Sequence, residues 1–181
     1  PILGMDVHVF DDDGNSINNK QGELVCIKSF PTMPIEFWKD NGEKYHDAYF
    51  DKYKNVWNHG DNILKTENNG FIIYGRSDAT LNPGGIRIGT AEIYRQVEKI
   101  DEVIESLVIG QNWKNDTRLI LFVVLRENIQ LSGELIKIIK DQLRTGASPR
   151  HVPSIVIQTP EIPKTKSGKI VELAVSCLLY T

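Results

Sequence analysis

Apolar positions along this 181-residue chain follow two different periods. In the first part they come in short, strand-like runs. Val7-His8-Val9-Phe10, Glu23-Leu24-Val25-Cys26-Ile27 and Phe71-Ile72-Ile73-Tyr74 each read as a strand. Between the first two lies Asp11-Asp12-Asp13-Gly14-Asn15-Ser16, rich in turn formers. Its three aspartates invite a calcium loop, but the alternate-residue ligand spacing of such a loop is missing, which favours a turn. Pro31 to Asn55 is irregular and aromatic, with Phe37, Trp38, Tyr45, Tyr49, Phe50 and Tyr53. Such a stretch either walls a pocket or packs over a sheet. Val56-Trp57 then leads into a tight segment, Asn58-His59-Gly60-Asp61.

From Thr90 the period becomes helical. Ile93, Val97 and Ile100 share one face behind Thr90 as N-cap, and Leu135, Ile139 and Leu143 share another behind Ser132. Val103 to Ile109 and Leu119 to Leu125 are apolar strands around a polar turn, Gln111 to Asp116, and Ser154 to Ile157 is a third strand. A last helix carries Ile170, Leu173, Ala174, Cys177 and Leu178. The order predicts an α+β domain with helices on one face of a small sheet, preceded by a β-rich segment. The boundary falls near Asp78.

Composition narrows the classes of function. Apolar residues make up 40% of the chain, enough for a core, and the net charge of −3 argues against a general nucleic-acid binder. No apolar run approaches the ~20 residues of a membrane span, and no secretory leader is visible. Cys26 and Cys177 form neither a disulfide framework nor a zinc spacing. That fits a reducing compartment, and we expect a cytoplasmic protein with no resident metal. The chain opens on Pro1 in mid-pattern, so we expect a segment of something longer.

Candidate chemistry concentrates in four places. Pro163-Lys164-Thr165-Lys166-Ser167-Gly168-Lys169 puts three lysines on a short loop before a helix. With Ser167 as N-cap, Lys169 would sit in the first helical turn, where a lysine is unfavourable unless an anion joins it. A phosphate or acyl phosphate suits that place, and a solvated basic loop is the plain alternative. This is not a P-loop, because position 163 is Pro and position 170 is Ile. Gly60-Asp61 is a good acceptor for sugar hydroxyls if Asp61 ends a strand. Leu81 to Gly89 carries a Pro83-Gly84-Gly85 turn joining two extended pieces. Arg76 and Arg87 flank it, as a surface ion-pair set or as an anion clamp.

Taken together, His59-Gly60-Asp61, Gly75-Arg76-Ser77-Asp78, Gly85-Ile86-Arg87-Ile88 with Glu92-Ile93, and Pro163 to Lys169 resemble the motifs of the acyl-adenylate-forming superfamily. That superfamily holds the acyl-CoA synthetases, luciferases and peptide-synthetase adenylation domains. His59 stands where its T-G-D motif has Thr. Residues 75–94, Phe37-Trp38 and Val56 to Asp61 are most similar to the acetoacetyl-CoA synthetase sub-family. The resemblance implies that residues 1–77 are the end of a large N-terminal adenylation domain. Residues 78–181 would be a mobile C-terminal α+β lid. The superfamily's phosphate loop and adenine pocket are absent from these residues.

The resemblance further implies an ATP-dependent, AMP-forming acyl-CoA ligase acting through an acyl-adenylate. Lys169 would be catalytic, bridging carboxylate and α-phosphate. Asp61 would hold the ribose, and Arg76 the ribose-phosphate region. Asp78 would be the hinge. Gly84 and Gly85 would let the pantetheine arm of coenzyme A pass. Arg87 would contact the thioester-forming state, and Arg144 the coenzyme A nucleotide. Magnesium would accompany ATP, with ligands in the missing N-terminal domain of the same chain. The expected partners are ATP, coenzyme A, a short carboxylic acid and that domain, with no nucleic acid and no membrane. Two other readings stay open: an adenylation domain that loads a carrier protein, and a non-catalytic interaction module.

Overall fold

The structure, a computed structural model, describes residues 3–178. The chain divides into two compact units that meet at Asp78 and Ala79. The ends of the two expected domain spans, residues 1–2 and 179–181, lie outside the described residues.

Unit 1 is an antiparallel sheet with strands in sequence order: β1 (Val7–Phe10), β2 (Gln21–Cys26), β3 (Trp57–Lys65) and β4 (Phe71–Arg76). The aspartate-rich segment is a turn. Asp11 Oδ1 accepts the backbone N–H groups of Asp13 (3.1 Å) and Asn15 (2.8 Å), so its carboxylate serves the turn itself. The aromatic stretch contains a short helix, α1 (Glu43–Tyr49), and packs on the start of β3. Tyr49 stacks on Trp57 with centroids 3.7 Å apart, and Phe30 and Phe50 meet the same indole edge-on. Val9, Val25 and Ile63 complete the core beneath.

One expectation about unit 1 is corrected. Asn58 to Asp61 is not a turn ending a strand but the interior of the nine-residue β3. Opposite it, Glu23 pairs with Asn62 while Val25 pairs with Asn58, so β3 spends extra residues there as a bulge. Gly60, at φ +79°, supplies the left-handed residue that such a bulge accommodates.

Unit 2 is built on a three-stranded sheet of β5 (Val103–Trp113), β6 (Asp116–Leu125) and β7 (Ile155–Gln158). β5 and β6 form a hairpin whose two turn residues, Lys114 and Asn115, both have positive φ (51° and 64°). β7 lies parallel to β6, so the chain returns through α3 (Gly133–Gly146) to pair with it. Ser132 caps α3, its hydroxyl accepting the Leu135 N–H at 3.1 Å. α2 (Thr90–Val97) precedes the sheet.

The sheet is covered on both faces, not one. Leu119, Leu121 and Val123 meet Ile93 and Val97 of α2 and Leu135, Ile139 and Leu143 of α3. The alternate residues Ile120, Phe122 and Val124 join Leu107, Ile109, Ile162, Ile170 and Val175, the last on α4 (Glu172–Leu178). A strand apolar at every position from Leu119 to Leu125 needs cover on each side, and α4 supplies the second layer.

Two smaller corrections concern helix starts. The N-cap of α2 is Gly89, whose N–H donates to Glu92 Oε1 at 2.9 Å, and Thr90 is already helical. α4 begins at Glu172, so Lys169 precedes the helix instead of opening it.

Candidate functional site

In unit 1 the bulge gathers Asp61, His59 and Arg76. Asp61 lies directly across from Arg76 in the β3–β4 register. The Asp61 carboxylate sits 2.6 Å from His59 Nδ1 through one oxygen and 3.8 Å from the Arg76 guanidinium through the other. Arg76 also donates to the His59 carbonyl at 3.1 Å and grips Asp78 with two nitrogens, at 3.3 and 3.1 Å. The Asp78 carboxylate, helped by that of Asp61, raises the Arg76 pKa against the opposing effect of burial. A side chain at Gly60 would push this guanidinium from its place, and the positive φ itself favours glycine there.

Beneath the bulge is a buried acid. Glu23, 7% exposed, accepts Lys52 Nζ at 2.8 Å and the Ser77 hydroxyl at 2.5 Å. Burial pushes the Lys52 ammonium down, but the bond and charge of Glu23 together with the bond to Asp12 and the nearby Tyr53 outweigh it, leaving the pKa raised. The result is a braced carboxylate, Asp61, beside a fixed guanidinium. Such a pair can accept vicinal hydroxyls at one end and hold an anion at the other. A cleft lined by Phe30, Tyr49, Trp57, His59, Gly60 and Arg76 opens beside it.

In unit 2 the Pro83–Gly85 turn is closed by paired backbone bonds between Leu81 and Ile88. Gly84 is clamped. Its N–H donates to Asp116 Oδ1 at 2.8 Å, and the Arg150 guanidinium lies so close that any Cβ would strike it. The Gly84 and Thr117 N–H groups, with Arg150, hold the Asp116 carboxyl below its usual range. Gly85, at φ +77°, has open space where a side chain would stand. Arg87 is exposed on the same loop. Arg144 lies elsewhere in the unit, in the last turn of α3, exposed and paired with Asp141 at 2.6 Å.

The lysine loop is ordered by its own backbone. Lys164 and Ile170 form an antiparallel bridge, and the Thr165 N–H donates to the Lys169 carbonyl at 2.8 Å. The Lys169 N–H returns a bond to Thr165 Oγ1 at 3.1 Å. Ser167 bonds the Thr165 hydroxyl at 2.9 Å instead of capping a helix. Lys164 pairs with Glu105 of β5. The Lys169 ammonium, fully outside the core, finds no partner among the described residues. A loop ordered by its own backbone and presenting exposed ammonium groups at Lys166 and Lys169 suits a task in which charge must be delivered to a bound anion.

Sequence reasoning missed four residues that shape these loops. Glu23 braces the bulge, and its signal was an acid at an inward position of an apolar strand. Asp116 and Arg150 fix Gly84 from opposite sides. Glu172 accepts the hydroxyls of Thr90 (3.3 Å) and Tyr94 (3.0 Å), and burial with the nearby Glu172 charge pushes the Tyr94 pKa far up. Nearby, the buried His151 reaches Glu92 at 3.5 Å and bonds the Ser148 hydroxyl at 2.8 Å. Burial alone would raise the Glu92 pKa, but His151 and the Gly89 N–H lower it.

In sequence and fold the chain is similar to known proteins. Residues 92–169 match the family described as AMP-binding enzyme C-terminal domain. An acetoacetyl-coenzyme A synthetase of Rhizobium meliloti (strain 1021) is 56% identical over 181 residues, 99% of this chain and 28% of its own length. An acetoacetyl-CoA synthetase of Xenopus tropicalis is 46% identical over 96% of this chain and 26% of its own length. The chain therefore spans little more than a quarter of these relatives. Among solved structures, an acetoacetyl-CoA synthetase from Streptomyces lividans superposes with a TM-score of 0.93 at 44% identity, covering 99% of this chain and 27% of that one. The fold also recurs at 23% identity, with a TM-score of 0.87, in an anthranilate CoA ligase solved with anthranoyl-AMP, over 98% of this chain and 34% of that one.

Proposed function

We propose that the chain, whose residues 92–169 match the AMP-binding enzyme C-terminal domain family, is part of an AMP-forming acid–thiol ligase. Its substrates would be acetoacetate, ATP and coenzyme A, its site cytoplasmic. Unit 1 would be the end of the large adenylation domain, and unit 2 the mobile lid. The observation that carries this reading is 56% identity to an acetoacetyl-coenzyme A synthetase, sustained over 99% of the chain.

In the first half-reaction an acetoacetate oxygen attacks the α-phosphorus of ATP, and pyrophosphate departs with the electron pair of the broken P–O bond. Lys169 neutralises charge between carboxylate and α-phosphate. Asp61, steadied by His59, accepts the ribose hydroxyls, and Arg76 lies toward the phosphate. In the second half-reaction the coenzyme A sulfur, having lost its proton, attacks the acyl carbon and AMP leaves. The open space over Gly85 admits the pantetheine arm, with Arg87 toward the thioester-forming state and Arg144 toward the coenzyme A nucleotide. Asp78, at the junction of the units, absorbs the change between the two arrangements. Most of the acceleration comes from placement and charge, so each residue matters through its position. Magnesium would accompany ATP, with its ligands in the N-terminal domain of the full-length chain.

The test is a chimera. This chain replaces the matching segment of the Rhizobium meliloti enzyme, and AMP release is measured with acetoacetate, ATP and coenzyme A. Activity within about tenfold of the parent is expected, because the identity spans every motif residue's neighbourhood. No AMP release from a folded chimera would overturn the reading. The 181 residues alone should make no acyl-CoA and bind ATP weakly, since no phosphate loop accompanies Asp61 and Lys169. Micromolar ATP affinity by calorimetry would contradict that.

A further inference from the structure

α4 is weakly attached by packing. It has only seven residues, none of them buried, and reaches the core mainly through Val175 and the preceding Ile170. Yet it directly follows the loop that must hold Lys169 steady. Something polar supplements the packing. β5 is an edge strand of its sheet, and the Val108 N–H on that edge donates to Tyr94 Oη at 3.3 Å. The Tyr94 hydroxyl in turn donates its proton to Glu172 Oε1 at 3.0 Å, and the buried Thr90 hydroxyl donates to the same oxygen at 3.3 Å. α2 covers one face of the sheet and α4 the other. The chain of bonds therefore runs from the β5 edge through Tyr94 of α2 to the first residue of α4.

We propose that Glu172 is a positioning residue: it latches the lysine loop to α2 and, through the Tyr94 hydroxyl, to the edge of β5, and so fixes where Lys169 points. The consequence for rate rests on the adenylation reading of Lys169; the latch itself does not. Glu172 stands three residues after Lys169. At the loop's other end Lys164 pairs with Glu105, also on β5. One end of the loop is thus tied directly to β5 and the other reaches it through Tyr94, so the cation is carried between two anchored ends. A glutamine at 172 keeps an oxygen able to accept both hydroxyl protons, so the latch needs the acceptor and not the charge.

Amide hydrogen exchange on the 181-residue chain tests this directly, with Glu172→Ala, Glu172→Gln and Tyr94→Phe. In Glu172→Ala the Thr165, Gly168, Lys169 and Val171 amides should exchange about tenfold faster, the effect of losing one such buried bond. The Leu121 and Val123 amides should not change. Glu172→Gln should behave as the unaltered chain. Tyr94→Phe should speed Val108 as well as the loop, and it serves if the alanine variant fails to fold. Unchanged loop amides in a folded Glu172→Ala or Tyr94→Phe overturn the latch, and so does equal acceleration across the whole unit. In the full-length enzyme Glu172→Ala should slow acyl-adenylate formation while sparing thioester formation from supplied acyl-AMP, with Glu172→Gln restoring the rate. If Lys169→Ala leaves adenylation unchanged, the functional reading fails while the exchange result stands. If Lys169→Ala is impaired and Glu172→Ala is not, the positioning role fails alone.

Discussion

The two units hold their charged groups in opposite ways. In unit 1 Asp61 and Arg76 are enmeshed: His59, Asp78 and the His59 carbonyl all engage them, and a buried Glu23 sits beneath. Their geometry exists before any ligand arrives. In unit 2 Lys169 and Gly85 stand open, and order is invested in the backbone around them, through the Thr165 bonds and the clamp of Asp116 and Arg150 on Gly84. A site that binds one ligand throughout benefits from fixed partners. A surface that must meet different ligands in turn benefits from rigid loops carrying unengaged groups.

The strongest challenge to this contrast is Lys169→Ala in the full-length enzyme. Losing one charge contact made in the transition state should slow adenylation by ~10²–10³ or more. Thioester formation from supplied acyl-AMP should be largely spared, and single-turnover assays of the two half-reactions separate these outcomes. Equal losses would mean that the loop serves both steps. The next effect is on stability. Leu121→Ala removes a fully buried side chain between the sheet and helices α2 and α3 and should cost about 3 kcal/mol. Denaturant melts followed by fluorescence of Trp113 in unit 2 and of Trp57 in unit 1 should show the former shifting more. Matching shifts would show that the two compact units melt as one.

A smaller effect is expected at the open turn. Gly85→Leu forces a side chain into the left-handed region and into the space above the turn, costing about 1–3 kcal/mol in strain. The coenzyme A step should slow by at least about tenfold while acyl-AMP still forms. Normal turnover would remove Gly85 from the coenzyme A path. The smallest effect is on pH dependence. Glu92 has a folded pKa below its ordinary value, so its contribution to stability is complete above ~4.3 and is lost as pH falls through the lower folded value. Glu92→Gln should flatten the acid limb of the unit 2 melting curve by an amount on the order of 1 kcal/mol. An unchanged acid limb would show that other carboxylates dominate.

What could be read from the sequence follows the same division. The helical faces Ile93/Val97 and Leu135/Ile139/Leu143 and the Ser132 cap were legible because period and cap chemistry are local. The apolar parts of β5 and β6 were legible for the same reason, but the expected turn from Gln111 to Asp116 shrinks to Lys114-Asn115 because both strands continue into their polar ends. The bulge was not legible, because Asn58-His59-Gly60-Asp61 has the composition of a turn and only pairing with β2 reveals a continuous strand. The second layer was missed although Leu119 to Leu125 announced it, since a run apolar at every position demands cover on both faces. Ser167 looked like a helix cap because Ser before an apolar run is one; here the Thr165 hydroxyl claims it first. Arg150 and Glu172 were invisible because their partners, Gly84 and Tyr94, are more than sixty residues away.

The parallel pairing of β6 with β7 sets a schedule for synthesis. The β5–β6 hairpin can close on the ribosome as soon as Leu125 has emerged, because its turn is two residues long. β7 follows only after α3, and at ~5–20 residues per second it appears roughly two to six seconds later. Through that interval the Ile120, Phe122 and Val124 face has neither β7 beside it nor α4 above it. That is the window in which a nascent-chain chaperone would find an apolar strand to hold, and in which slow codons between Arg126 and Ser154 would lengthen the exposure.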